Sequence, residues 1–268
     1  MRTTYIIAIS LAVLLIVVAL VDTGQGTTWG AVQRIEFSDE ELPDNLYSMF
    51  TGKPANSALR YCLPADYSKD KSYPLIVYVP GFHGHPSGNI QNAKDIADGH
   101  ECVVASLPLF KAGIDRSEIG HGLIVSFADY PVLSRAYAIM FEKLDRVVPN
   151  IDRERSAMVG FSNGAIATGV LVSSHDTNIL ERFASFCMVE NGMFHLTDLH
   201  QSGARDRRYL ILVGDELDYG RELKLRGAQL AEDSWQTLGV DIESRILQDT
   251  GHELTEACKQ DIGRWVFE

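Results

Sequence analysis

The sequence predicts an α/β protein: a doubly wound, mostly parallel sheet flanked by helices. Three observations predict it. Short apolar runs of strand length recur along the chain, segments with apolar residues at helical spacing stand between them, and no internal repeat or Pro-rich linker divides them. A strand covered on both faces reads as a continuous apolar run, whereas a half-exposed one alternates, and the runs here are of the first kind. With 268 residues, 46% hydrophobic and 22% charged, the chain can bury one large core, so residues 27–268 are expected to form a single catalytic domain.

The elements follow in order. Residues 58–63 (ALRYCL) read as an early strand, and the turn-rich ADYSKDKSY leads into 74–79, whose LIVYV suits a strand buried on both faces. A second buried strand is expected at 102–107. Over 132–147, Leu133, Ala136, Ile139, Met140 and Leu144 share one helical face. A short strand at 157–159 precedes a helix at 165–171, and further strands are expected at 183–189, 209–213 and 240–247. Leu254, Ala257, Cys258, Trp265 and Val266 repeat at helical spacing, so the chain is expected to close with an amphipathic helix.

Ahead of this body, Arg2 is followed by the apolar run YIIAISLAVLLIVVALV, interrupted by Ser10 and closed by Asp22. Residues 1–26 are therefore expected to be a signal peptide or an N-terminal membrane anchor, with Gly24 and Gly26 small enough to permit cleavage after Gly26. The body is then exported, whether secreted, periplasmic or anchored, and it meets a membrane only through this segment. Acidic residues outnumber basic ones 36 to 24, for a formal net charge of -12. That excess repels phosphate backbones and no basic run reverses it locally, so nucleic acid is not expected as a partner. The four cysteines, Cys62, Cys102, Cys187 and Cys258, form no CxxC pair. Because Cys102 and Cys187 lie in apolar strand-like runs, buried free thiols are favoured over bridges.

The chemistry centres on SAMVGFSNGAIATGVLV, where a strand ends at Gly160, Ser162 sits in the middle of GFSNG, and a helix follows. The pentapeptide GxSxG alone is a weak signal. A strand before it and a helix after make it a strong one, because the glycines permit a strained turn that lifts the hydroxyl above the sheet. A hydroxyl needs a base to become a nucleophile. His252 in DTGHEL follows the last strand and precedes the closing helix, completing the chain order Ser, acid, His. For the acid, YLILVGDELDYG offers Asp218 and, as its alternative, Asp215; Asp218 is preferred because a carboxylate a few residues past a strand can reach a neighbouring loop. Glu190 in MVENG, one strand earlier, remains open. Oxyanion donors are expected at the backbone amides of Asn163, directly after the nucleophile, and Phe82, on the loop VPGFHGHPSG. Metal is not expected: HELTE carries Glu256 where HExxH needs its second His, and His83 and His85 in FHGHP lack a third ligand.

Taken together, LPADYSKDKSYPLIVYVPGFHG, VGFSNGA, GDELD and GHEL resemble the α/β-hydrolase superfamily, and within it secreted esterases of the feruloyl esterase and polyhydroxybutyrate depolymerase type. The likeness spans most of residues 58–266. It implies Ser162 as nucleophile, Asp218 as acid, His252 as base and the Phe82 and Asn163 amides as the oxyanion hole, with no cofactor. Pro80 and Gly81 stand where that family usually has HG, and the acid lies four residues after Gly214 where three is commoner. The expected activity is two-step carboxylic ester hydrolysis through an acyl-enzyme. Only about 45 residues separate the elbow from the acid strand, too few for a large lid domain, and an open cleft suits an ester on a polysaccharide or other bulky carrier. The competing readings are a serine peptidase of the same fold and an exported binding protein that has lost catalysis.

Overall fold

The computed structural model describes residues 29–268 apart from 39, 44–45, 49–57, 83–85, 113–123, 202 and 217–219. The expected export segment, His83, His85 and Asp218 thus lie outside the described residues. Among the described residues the strands are β1 (Gln33–Glu36), β2 (Leu46–Ser48), β3 (Ala58–Cys62), β4 (Tyr73–Val79), β5 (Val103–Ser106), β6 (Phe110–Ala112), β7 (Ile151–Phe161), β8 (Ser185–Val189), β9 (Arg208–Gly214) and β10 (Asp241–Leu247). The helices are α1 (Pro86–Ile96), α2 (Tyr130–Val147), α3 (Asn163–Ser173), the single turn α4 (Thr177–Leu180), α5 (Arg221–Gln236) and α6 (Glu256–Phe267).

Eight strands form one sheet in the order β1-β3-β5-β4-β7-β8-β9-β10, and β2 pairs with β6 in a small separate ribbon. From β5 through β10 every neighbouring pair is parallel. The pairs β1/β3 and β3/β5 are antiparallel. The connection leaving β4 runs to β5 on one side and that leaving β7 runs to β8 on the other, and ligands of open α/β sheets bind at the carboxyl ends of strands at such a point.

The strand period of two sorts side chains onto two faces. Leu75, Val77 and Val79 of β4 join Met158, Phe186 and Ile211 in a core covered by Leu133, Met140 and Leu144 of α2, Leu171 of α3 and Trp235 of α5. The alternate residues Ile76, Tyr78, Val159, Cys187 and Leu210 pack under Ile90 and Ala93 of α1 and Cys258, Ile262 and Trp265 of α6. Both faces are covered, which is why these strands carry continuous apolar runs. All four cysteines are free and buried, and burial pushes the Cys258 thiol up to about 12.

Several elements differ from the sequence expectation, each for a local reason. Strand β7 runs over Ile151–Phe161 instead of three residues, because its first half, IDRER, pairs with β4 at the exposed margin and shows no apolar run. The register shifts between Pro74 and Ile76, a bulge that accommodates a proline inside an otherwise central strand. There the Ser156 hydroxyl accepts from Leu75 N (2.9 Å) and donates to Asp152 O (2.6 Å), so no buried backbone donor is orphaned. Helix α5 has no broad apolar stripe: its buried residues are Gly227, Ala228, Ala231 and Trp235. The closing helix starts at Glu256, capped by Thr255, whose side chain accepts from Cys258 N at 3.2 Å, so Leu254 stays in the preceding loop.

Candidate active site

The site is built at the carboxyl ends of β7, β8 and β9, where the two glycines of GFSNG let backbones touch. A Cβ on Gly160 would lie 2.5 Å from Gly164 O, and one on Gly164 would lie 2.2 Å from Val79 O. Only glycine fits at either place. Between them Ser162 adopts φ 54 and ψ -116, a left-handed backbone that a β-substituted residue takes only when its surroundings enforce it. The enforcement is visible: Ser162 N donates to Val189 O at 2.8 Å, and Ser162 O accepts the first bond of α3, from Ile166 N, at 3.1 Å. This turn holds the hydroxyl above the sheet.

The imidazole of His252 meets that hydroxyl. Its Nε2 lies 2.8 Å from Ser162 Oγ, within reach for proton transfer. The loop carrying it is pinned where Asp215 N donates to Leu247 O and Glu216 N donates to Thr250 O, both at 3.0 Å. A Cβ on Gly214 would lie 2.2 Å from Thr250 O, so β9 and this loop also need glycine to pass. The Phe161 ring stands 5.3 Å from the imidazole, centroid to centroid.

On the other side of the ring, Nδ1 lies 3.2 Å from Oε2 of Glu190. Glu190 directly follows β8 and has φ 65, a second strained residue beside the first. Its carboxylate is 2% exposed and well satisfied: Oε1 accepts from Gly214 N, Oε2 from Lys224 Nζ at 2.9 Å. Burial pushes this carboxyl up, but the hydrogen bonds from His252, Gly214 and Lys224 outweigh it and hold the group below its ordinary range. Lys224, from the first turns of α5, also stands 3.3 Å from His252 Nδ1.

The structure therefore brings together Ser162, His252 and Glu190. Asp215, the alternative acid of the sequence reading, turns elsewhere: its Oδ1 faces Thr250 N at 3.4 Å. Asp218 lies outside the described residues. Among the described residues Glu190 is the carboxylate at Nδ1, and the signal for it was present: a charged residue immediately after the wholly buried strand SFCMV. Because β8 neighbours β7 in the sheet whereas β9 is one strand further away, a side chain at the end of β8 needs less reach to stand beside an imidazole on Ser162.

Of the two expected oxyanion residues, Asn163 directly follows the serine and Phe82 directly follows Gly81. Asn163 opens α3, where backbone N–H groups precede the helical ladder. Its buried side chain accepts from Val125 N at 2.9 Å, tying the segment after residue 123 to the elbow. That segment is held by Asp129, 2% exposed, which takes Lys111 Nζ at 2.9 Å and Ala112 N at 3.0 Å. On the β4 side, a Cβ on Gly81 would lie 3.1 Å from the Ser162 Cβ, so the chain entering Phe82 runs against the Ser162 turn.

No protein-family model matches the chain, and no curated protein matches it. Solved structures do. An esterase of the archaeon Pyrobaculum calidifontis aligns with TM-score 0.57 at 14% identity, covering 94% of this chain and 88% of that one. A poly(aspartic acid) hydrolase-1 from Sphingomonas sp. KT-1 aligns with TM-score 0.55 at 13% identity, covering 83% and 97%. A thermostable esterase aligns with TM-score 0.54 at 16% identity over 88% of this chain, which spans 59% of that longer one. The fold is that of the α/β hydrolases, with a mostly parallel eight-stranded sheet and flanking helices.

Proposed function

We propose that this protein is a carboxylic ester hydrolase that works through a serine acyl-enzyme. One observation carries the reading: His252 Nε2 stands 2.8 Å from the Oγ of a serine held at positive φ on a strand-to-helix elbow. The esterases among its structural relatives support the substrate class. As Ser162 Oγ bonds to the ester carbonyl carbon, its proton passes to His252 Nε2, and the oxyanion is met by the Asn163 and Phe82 amides. Collapse breaks the bond to the alcohol oxygen, which takes the proton from Nε2. Water then attacks the acyl carbon, giving a proton to Nε2, and that proton returns to Ser162 as the acid leaves.

Glu190 accepts a hydrogen bond from Nδ1–H throughout, fixing the tautomer that leaves Nε2 free to accept. Between β8 and β9 the chain inserts a 3-10 turn at Met193–His195 and no domain, and the His252 side chain is 42% exposed. Such access suits an ester carried on a polysaccharide or other bulky group, in a protein exported by residues 1–26. The test is Ser162→Ala: hydrolysis of p-nitrophenyl acetate and labelling by a fluorophosphonate probe are both expected to vanish with the fold intact. Undiminished turnover would refute the assignment.

A further inference from the structure

A lysine is an unusual third neighbour for an imidazole that must become positively charged. Lys224 Nζ lies 2.9 Å from Glu190 Oε2 and 3.3 Å from His252 Nδ1, and its side chain is 12% exposed. An ammonium only donates, so it cannot accept a hydrogen bond from Nδ1–H; that role is left to Glu190. It can act in two ways. Its hydrogen bond adds to that of Gly214 N in orienting the carboxylate, and its charge stands at almost the same distance from the ring as the charge of Glu190.

We propose that Lys224 is a positioning residue of this site: it fixes the Glu190 carboxylate and offsets its charge at His252. A carboxylate alone at 3.2 Å would favour the imidazolium and close the enzyme down as pH falls. The paired carboxylate keeps its geometry without that pull. Among the described residues, the other charged groups around the ring are arranged differently. Asp215, beyond β9, faces Thr250 N; Glu216 is exposed with Oε2 against Gly251, 3.2 Å from where a Cβ would stand; Glu253 is exposed on the histidine's own loop. From α6, Cys258 stays a thiol, since burial and Asp261 raise it. Phe161 and Ser162 on the elbow side bring no charge.

The inference rests on the proposed hydrolase reading, and its test separates the two. In the full-length protein, kcat/KM for p-nitrophenyl acetate is followed against pH for the parent, Lys224→Met, Lys224→Gln and Lys224→Arg. Gln keeps a donor for Glu190 without the charge, and it serves if Met does not fold. The acid limb, which reports the base of the free enzyme, is expected to move up by about one unit or more in the Met and Gln variants, the size of effect a neighbouring charge exerts. In the Arg variant it is expected to stay with the parent. A limb that stays in place in the neutral variants, even with a lower rate, overturns the proposal, because a purely structural role lowers the plateau without moving the limb. If Ser162→Ala retains turnover, the hydrolase reading itself has failed, whatever Lys224 does.

Discussion

Replacing Glu190 by Gln tests the site most sharply, because charge and tautomer both act on the same imidazole. Opposite charges 3.2 Å apart attract by about 5 kcal/mol at an effective dielectric near 20. The Lys224 ammonium, 3.3 Å from the same nitrogen, repels an imidazolium by about the same amount. Removing the Glu190 charge therefore leaves that repulsion uncompensated and disfavours the imidazolium, and tautomer selection acts in the same direction. Gly214 N donates to Oε1, so in the variant the amide oxygen is drawn to that position and the NH2 group is left facing Lys224 and His252. An NH2 group and an ammonium both donate, which makes Nδ1 the acceptor and puts the proton on Nε2, pointing at Ser162. The serine then has no base. The expected loss is about 10⁴ in kcat, the size seen when a triad carboxylate becomes an amide, or about 5.5 kcal/mol of barrier. The measurement is steady-state hydrolysis of p-nitrophenyl acetate by Glu190→Gln beside Asp218→Asn, with circular dichroism confirming the fold. Glu190→Gln within tenfold of the parent, alongside collapse of Asp218→Asn, would return the acid to the loop after β9 and refute this reasoning.

Three further outcomes are expected. Gly164→Ala places a Cβ 2.2 Å from Val79 O and 2.5 Å from Pro80 O, backbone atoms that cannot swing aside, so destabilisation should exceed about 3 kcal/mol and lower Tm by about 6 °C or more; an unchanged Tm would show that the elbow is looser than its contacts imply. Ser156→Ala removes the acceptor of Leu75 N at the β4 bulge, an orphaned buried donor worth about 1 to 3 kcal/mol, to be read as a lower urea midpoint at unchanged slope. The Glu190 carboxyl lies below its ordinary value of 4.5, burial's upward push being outweighed by hydrogen bonds from His252, Gly214 and Lys224. A depressed carboxyl contributes stability above its unfolded value and loses it as pH falls through the folded one. Below about pH 4.5, Tm of the parent should thus fall more steeply than that of Glu190→Gln; parallel curves would deny Glu190 a part in acid unfolding.

What the sequence made legible follows from how far each determinant reaches. The buried strands β4, β5, β8 and β9 announce themselves because both faces of the sheet are covered, and each reads as an apolar run independent of its neighbours. The elbow is legible for a similar reason: Gly160 and Gly164 are demanded by contacts within four or five residues of Ser162 or with the adjoining strand. Helix α5 and strand β1 lack such a local signature, since one buries small residues with a single large one, Trp235, and the other is an exposed edge whose inner side chain is Ile35. The carboxylate is the instructive case. A preference for loops past a strand ranks residues by their own segment, whereas the partner of His252 is set by which strand lies beside β7, a property of sheet order that no single segment carries. Glu190 also sits at φ 65, where glycine or asparagine is the usual occupant. A buried acid that accepts backbone strain at the edge of a sheet, and draws a lysine from a helix to steady it, is positioned at a cost the fold alone does not require. That cost is the physical reason to place it in the reaction rather than in the scaffold.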